Sequence, residues 1–102
     1  MLLATVEHSG TMQAIKMLGR PTCPLEEKRE GDFILFAHLR DKMMPLIEAH
    51  NDIIVTTRRP EADIWESWKR RGRDVNELEA QLANYRRLLE MQPYVLELGR
   101  WR

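Results

Sequence analysis

"LLATVEHSGTMQAIKML", residues 2–18, is the stretch that decides the fold. Its beginning is apolar and partly β-branched, which predicts a buried strand. Its second half places Met12, Ile15 and Leu18 roughly on one face of a helix. Ser-Gly-Thr, between the two, has the composition of a turn. The stretch therefore predicts a strand, a tight turn and a helix in immediate succession.

Two more apolar runs predict buried strands, "DFILFAHL" (32–39) and "NDIIVTT" (51–57), and the second is rich in β-branched residues. "PYVLEL" (93–98) predicts a last short strand at an edge of the sheet. Between the first two runs, "RDKMMPLIEAH" (40–50) predicts a short helix in which Pro45 either begins the regular part or kinks it.

The remaining segments are helical or connecting. "EADIWESWKRRGR" (61–73) predicts a helix with Trp65 and Trp68 on one side, where they serve a core or an interface. "DVNELEAQLANYRRLLEM" (74–91) predicts a second helix whose apolar stripe packs onto the sheet. Residues 20–31 contain two prolines and a charge cluster, and they predict an exposed connection.

Strands that alternate with helices predict an α/β fold, a small three-layer α/β/α domain with a mostly parallel sheet and a helical C-terminal half. We expect residues 1–102 to form one such domain. In a parallel sheet, ligands bind beyond the carboxyl ends of the strands. Polar residues follow the three apolar runs at 8–11, at His38 and at 58–59, which places the candidate site at one edge.

Composition excludes several classes of partner. Lysine plus arginine and aspartate plus glutamate each total 16, so the net charge is zero and we expect neither nucleic acid nor an anionic membrane as a partner. A single cysteine, Cys23, and the lack of an apolar run of ~18 residues predict a cytoplasmic protein. The histidines His8, His38 and His50 lack the spacing of metal ligands, so we expect no metal.

The turn at Ser9, Gly10 and Thr11 has two interpretations. A strand that leads through a glycine turn into a helix offers backbone N–H groups at the positive end of the helix dipole, which suits an anion. The lysine of a nucleotide-triphosphate loop is absent. Alternatively, the serine or the threonine only caps the helix.

Three blocks together resemble the sulfotransferase family. "VEHSGTMQAIKML" (6–18) resembles its 5′-phosphosulfate loop, and "FAHLRDKMMPLIEAHNDIIVTTRRP" (36–60) is similar to the next block, in which a strand ends in a histidine followed by leucine. "RRPEADIWESWKRRGR" (58–73) is similar to its 3′-phosphate block. The blocks occur in family order, and the resemblance covers about residues 2–73.

The resemblance implies a function and a set of residues at the 5′ end of the nucleotide. It implies that Ser9, Gly10 and Thr11 cradle the phosphosulfate of 3′-phosphoadenosine 5′-phosphosulfate. It implies that His38 is the catalytic base, which takes a proton from an acceptor hydroxyl or amine. His8 stands where many members carry a lysine, and a histidine protonated beside the bound anion would supply the same positive charge.

At the 3′ end the resemblance implies that Arg58 and Ser67 hold the 3′-phosphate. The serine lies one residue further from the arginine than in the usual pattern, so Arg59 is expected to share that role. Arginine suits it because its fork matches the geometry of phosphate.

Alternatives remain for the function and for single residues. The protein is a sulfotransferase-like enzyme, a P-loop nucleotide or nucleoside kinase, or a non-catalytic relative that binds a nucleotide or a protein partner. His38 otherwise caps a helix, and Arg58 and Arg59 otherwise contribute surface charge. The "KRRGR" segment (69–73) is interpreted as a solvated helix end. The acceptor, a small molecule or a glycan, stays unknown, and a homodimer through the stripe of the last helix is possible.

Overall fold

The computed structural model describes residues 1–27 and 30–98. Its strands are β1 (Leu2–Thr5), β2 (Thr22–Pro24), β3 (Ile34–His38), β4 (Ile54–Arg58) and β5 (Tyr94–Glu97). Its helices are α1 (Thr11–Leu18), α2 (Met44–Glu48), α3 (Glu61–Arg70) and α4 (Val75–Glu90). Short 3-10 turns precede β3 at Leu25–Glu27 and α2 at Asp41–Met43. The α/β prediction is confirmed, including the helical C-terminal half.

The five strands form one parallel sheet in the order β2-β3-β1-β4-β5. Strand β1 lies in the middle and pairs with β3 on one side and with β4 on the other. In the β1–β3 register, Thr5 lies opposite His38. The turn that follows β1 therefore emerges at the centre of the carboxyl edge, between the ends of β3 and β4.

Side chains alternate across the sheet and build a core on each face. Leu3 packs with Ala14 and Ile15 of α1 on one face. Leu2 and Ala4 face the opposite side, in a larger core to which α2, α3 and α4 contribute. This arrangement is the three-layer α/β/α domain that the alternating pattern predicts.

The prediction for residues 20–31 is wrong in its first half. Residues 22–24 form an edge strand that pairs in parallel with β3, and Cys23 is buried there. Leu25 is also at the limit of burial. Prolines are tolerated on an edge strand because their nitrogen, which cannot donate a hydrogen bond, is able to lie on the side that faces solvent. The pairing partner lies further along the chain, so the local composition did not indicate it.

The last helix behaves as predicted. Leu78 and Leu82 are buried in the larger core, and Tyr85 packs against it. Strand β5 follows at the edge of the sheet, beside β4. In the part of the chain that is described, none of the helices combines the length and the apolar character that crossing a membrane requires.

Candidate functional site

The turn after β1 has the backbone of a binding loop. His8 and Gly10 both adopt left-handed conformations, with φ of 60° and 97°. Gly10 is the N-cap of α1, and no side chain caps this helix end. The first amide groups of a helix have no partner within the helix, and the helix dipole makes this end positive. The turn therefore presents donors to the space at the carboxyl edge.

The two hydroxyl groups of the turn have different tasks. Ser9 is buried, and its Oγ donates to the carbonyl of Val6 over 2.6 Å and lies 3.1 Å from Oγ1 of Thr57. Ser9 therefore stabilises the conformation of the turn and connects the turn to β4. Thr11 Oγ1 lies 2.7 Å from Oγ1 of Thr5, and Thr11 is half-buried at the cavity. If Thr5 donates in this pair, the Thr11 hydroxyl is able to donate to a ligand.

One cavity brings together the predicted residues of the 5′ site except Ser9, which lines a second cavity. It has a volume of about 610 Å³, and its wall includes His8, Gly10, Thr11 and His38. A cavity of this volume lies within the usual range for small-molecule sites, ~300–1,000 Å³. The expected meeting of the turn and the end of β3 is thus present in the structure.

The two arginines at the end of β4 point in different directions. Arg58 is exposed, and its Nη1 donates to Glu97 Oε1 over 3.2 Å. Arg59 is buried, and its Nη2 donates to Gln13 Oε1 over 2.9 Å. A Cβ atom built on Gly10 would lie 2.9 Å from the same Nη2, so the guanidinium group of Arg59 packs directly against the turn.

A second cavity of about 220 Å³ lies on the β4 side of the turn. Ser9, Arg58, Arg59 and Tyr85 contribute to its wall. Ser67 is buried on α3 and accepts from Nε of Arg71 over 3.5 Å. Among the described residues, Ser67 is not part of the wall of either cavity.

A third cavity, of about 640 Å³, includes Met1, His50 and Asp52 in its wall. Its volume is similar to that of the first cavity, so volume does not choose between them. Asp52 accepts from the amino group of Met1 over 3.0 Å, before β1 begins. The cavity therefore lies toward the amino ends of the strands, whereas ligands of such sheets bind at the carboxyl ends.

Several charged residues of the site were not predicted from the sequence. Lys16 and Arg71 belong to the wall of the first cavity. Glu7 also belongs to it, and its carboxylate bonds Arg40 and Arg73. The "KRRGR" segment is thus only partly a solvated helix end, because two of its arginines reach the site. Nothing in the local sequence indicated the partners of Glu7, which lie 33 and 66 residues away.

The charge of the site is positive although the chain as a whole is neutral. Among the described residues, the wall of the first cavity carries one carboxylate, Glu7, and two cations, Lys16 and Arg71. Glu7 is itself paired with Arg40 and Arg73. A local excess of positive charge in a concave site attracts an anion without attracting polyanions to the rest of the surface.

Both histidines of the cavity favour the neutral form. Burial lowers the pKa of His8, and the positive charges of Arg71 and Arg73 lower it further. His38 also lowers this pKa, whereas the negative charge of Glu7 raises it. Burial also lowers the pKa of His38, as do Arg40 and Arg73, while Glu7 and the Thr5 carbonyl raise it. In the free protein at neutral pH both rings are therefore uncharged.

We expect anion binding to strengthen as the pH falls. A bound anion favours the protonated imidazole of His8, so affinity increases as the pH decreases toward the lowered pKa that His8 has in the free protein. A rise of about one pKa unit on binding corresponds to an increase of up to about tenfold. Calorimetric titration with 3′,5′-phosphoadenosine at several pH values measures this. A His8→Asn variant with an unchanged pH dependence would contradict the assignment.

The same shifts have the opposite sign for the free protein. Because the folded pKa of each histidine lies below the unfolded value of 6.5, their contribution to stability is present above that pH. It is lost as the pH falls through the folded pKa. Ligand-free and ligand-bound protein should therefore diverge in stability on mild acidification.

In the described parts of the chain, no three histidine, cysteine, aspartate or glutamate side chains are grouped so that they could hold a metal ion.

Comparisons with models of protein families, with curated proteins and with solved structures found no match to this chain.

Proposed function

We propose that the carboxyl edge binds 3′-phosphoadenosine 5′-phosphosulfate and that the protein transfers its sulfuryl group to a hydroxyl or amine. The observation that carries the proposal is the cavity in which the turn His8–Thr11 and His38 meet. The resemblance of residues 2–73 to the sulfotransferase family supports the same assignment.

The 5′ end of the nucleotide fits the first cavity. The uncapped end of α1 and the hydroxyl of Thr11 offer donors, and Lys16 and Arg71 offer positive charge at the wall. His8 adds a further positive charge, because an anion beside its imidazole would favour the protonated form. Ser9 supports this site by fixing the turn, since its hydroxyl already bonds Val6 and Thr57.

The 3′-phosphate fits the β4 side of the turn. The ion pair between Arg58 and Glu97 is exposed, and pairs of this kind contribute little to stability. Arg58 is therefore able to exchange Glu97 for a phosphate. Arg59, packed against Gly10, adds a positive charge beside the turn.

The bound nucleotide supplies an activated sulfuryl group, and the protein supplies a base. His38 lies in the cavity with a lowered pKa, so its imidazole is neutral and able to accept a proton at neutral pH. The acceptor hydroxyl or amine would lose its proton to His38 while its oxygen or nitrogen forms a bond to the sulfur. The bond between the sulfur and the bridging phosphate oxygen would break, and 3′,5′-phosphoadenosine would leave with that oxygen. Met12, Ile15 and Phe36 add an apolar part to the cavity wall, where the rest of the acceptor has room.

A comparison of ligands by thermal unfolding tests the proposal. We expect 3′,5′-phosphoadenosine at 100 times its Kd to stabilise the protein by about 2.7 kcal/mol. ATP with magnesium should stabilise it far less, because the turn lacks the lysine of a triphosphate loop and the described residues lack a metal cluster. If ATP with magnesium stabilises the protein and 3′,5′-phosphoadenosine does not, the proposal is wrong and the kinase alternative is favoured. Stabilisation by 3′,5′-phosphoadenosine without sulfuryl transfer would identify a non-catalytic binding protein.

A further inference from the structure

Glu7 is an acidic residue in a site that otherwise collects positive charge. Its side chain is only 7% exposed, although it lies in the short connection between β1 and the binding turn. Taking a carboxylate out of water costs several kcal/mol unless its oxygens are fully bonded. The partners of Glu7 therefore indicate what the residue does there.

The carboxylate connects three separate segments. Oε1 accepts from Nε of Arg40 over 2.7 Å, and Oε2 accepts from Nη2 of Arg73 over 2.5 Å. Gln81 of α4 donates to Oε1 over 3.2 Å and accepts from the backbone N–H of Glu7 over 2.9 Å. Trp68 of α3 donates to the carbonyl of Glu7 over 2.8 Å. Every polar group of this residue thus has a partner from another element.

Both histidines of the cavity are attached to this cluster. His38 lies two residues before Arg40, so the bond from Arg40 holds the end of β3 to the beginning of the turn. His8 follows Glu7 directly and meets the ring of Trp68 edge-on, with ring centres 5.9 Å apart. The guanidinium group of Arg73 lies over the same ring, 5.3 Å from its centre.

A general contribution to stability is a weak explanation for this cluster. A buried ion pair often stabilises no more than an apolar replacement of the same volume, but it requires one particular geometry. The carboxylate also lowers the positive charge of an anion site, which opposes binding by charge alone. A positioning role accounts for both the buried ion pairs and the negative charge, because the cluster specifies where the turn and the end of β3 lie.

We infer that Glu7, through Arg40 and Trp68, is a positioning residue that holds the His8 turn and the His38 end of β3 in their relative places. This role belongs to the free protein and does not depend on which anion the site takes. In this arrangement Glu7 acts through the two histidines.

Amide hydrogen exchange of a Glu7→Gln variant tests the inference. The amide of Leu39 donates to the carbonyl of Thr5 over 2.9 Å, and that of Ser9 donates to the carbonyl of Val6 over 3.2 Å. We expect both to exchange about tenfold faster, since hydrogen bonds to a charged partner contribute about 1.5–3 kcal/mol. The amide of Leu2, bonded to Ile53 at the other edge, should keep its rate. Equal acceleration of all three would show a global loss of stability and would overturn the inference.

The matched control is Glu66→Gln, which removes the same charge from an exposed pair with Arg70. Its exchange rates should equal those of the wild type. If Glu7→Gln does not fold, Arg40→Gln serves instead, because it releases the end of β3 and leaves the bond between Glu7 and Arg73. Unchanged exchange at Leu39 in Arg40→Gln would equally overturn the inference.

Histidine titration by NMR adds a readout that a packing role would not move. His38 faces Glu7, Arg40 and Arg73, and His8 faces Glu7, His38, Arg71 and Arg73. Removal of the negative charge in Glu7→Gln should lower the pKa of both rings, and Glu66→Gln should leave them unchanged. A pKa that rises in Glu7→Gln would contradict the arrangement.

Binding of 3′,5′-phosphoadenosine separates this inference from the proposed function. Glu7→Gln makes the site more positive, so charge alone predicts tighter binding, whereas lost positioning predicts weaker binding by about tenfold. Tighter binding would overturn the inference. If the wild type does not bind this nucleotide, the proposed function fails while the exchange and titration results still decide the role of Glu7.

Discussion

Replacement of His38 by alanine will lower the rate of sulfuryl transfer by about 100-fold or more, the range that loss of a general base produces. The affinity for 3′,5′-phosphoadenosine will change far less, because the neutral ring of His38 adds no charge to the free site. Transfer of a radiolabelled sulfuryl group gives the rate, and calorimetry gives the affinity.

The control for this variant is His50→Ala. His50 is also a histidine, but it lies in the wall of the cavity at the amino ends of the strands. Its replacement should leave transfer unchanged. If His38→Ala and the wild type transfer at the same rate, His38 is not the base, and the proposal for the reaction is wrong even where the nucleotide binds.

Replacement of Gly10 by alanine is expected to have the second large effect. Its φ of 97° is strained for any residue with a side chain, and the new Cβ would lie 2.3 Å from Leu98 Cδ1 and 2.9 Å from Arg59 Nη2. Strain and crowding together should lower the free energy of unfolding by about 2–4 kcal/mol. Displacement of the Arg59 guanidinium group should weaken binding of 3′,5′-phosphoadenosine by about tenfold or more.

Gly19→Ala is the matched control for Gly10→Ala. Gly19 also has a positive φ, 66°, but a Cβ there would meet nothing within 4 Å. It should cost only the backbone strain, about 1–2 kcal/mol, and it should leave the affinity unchanged. Urea unfolding and calorimetry compare the two variants. Equal affinities for both would mean that the packing of Arg59 against the turn does not matter for binding.

The two arginines show how far the candidate site was predictable. The sequence placed Arg58 and Arg59 together at the end of a strand, and the resemblance to the sulfotransferase family implied Arg58 as the phosphate ligand. In the structure Arg59 is buried against the turn, and Arg58 pairs with Glu97 at the surface. Adjacent residues at a strand end leave in opposite directions, and which one turns inward depends on the neighbouring loop.

The sequence by itself determined the elements whose signals are local. Apolar runs predicted the central strands, the spacing of Met12, Ile15 and Leu18 predicted α1, and their alternation predicted the parallel sheet. Burial of one face repeats with the period of each element, so these features can be recognised within a short window.

Only the tertiary structure decided the features that depend on distant partners. Strand β2 exists because β3 offers it a ladder, and the prolines around it hid this from local composition. The cluster of Glu7, Arg40 and Arg73 joins residues that are far apart in the chain, and their charges carry no periodic signal. A buried carboxylate is stable only where its partners converge, and that convergence exists only once the chain has folded.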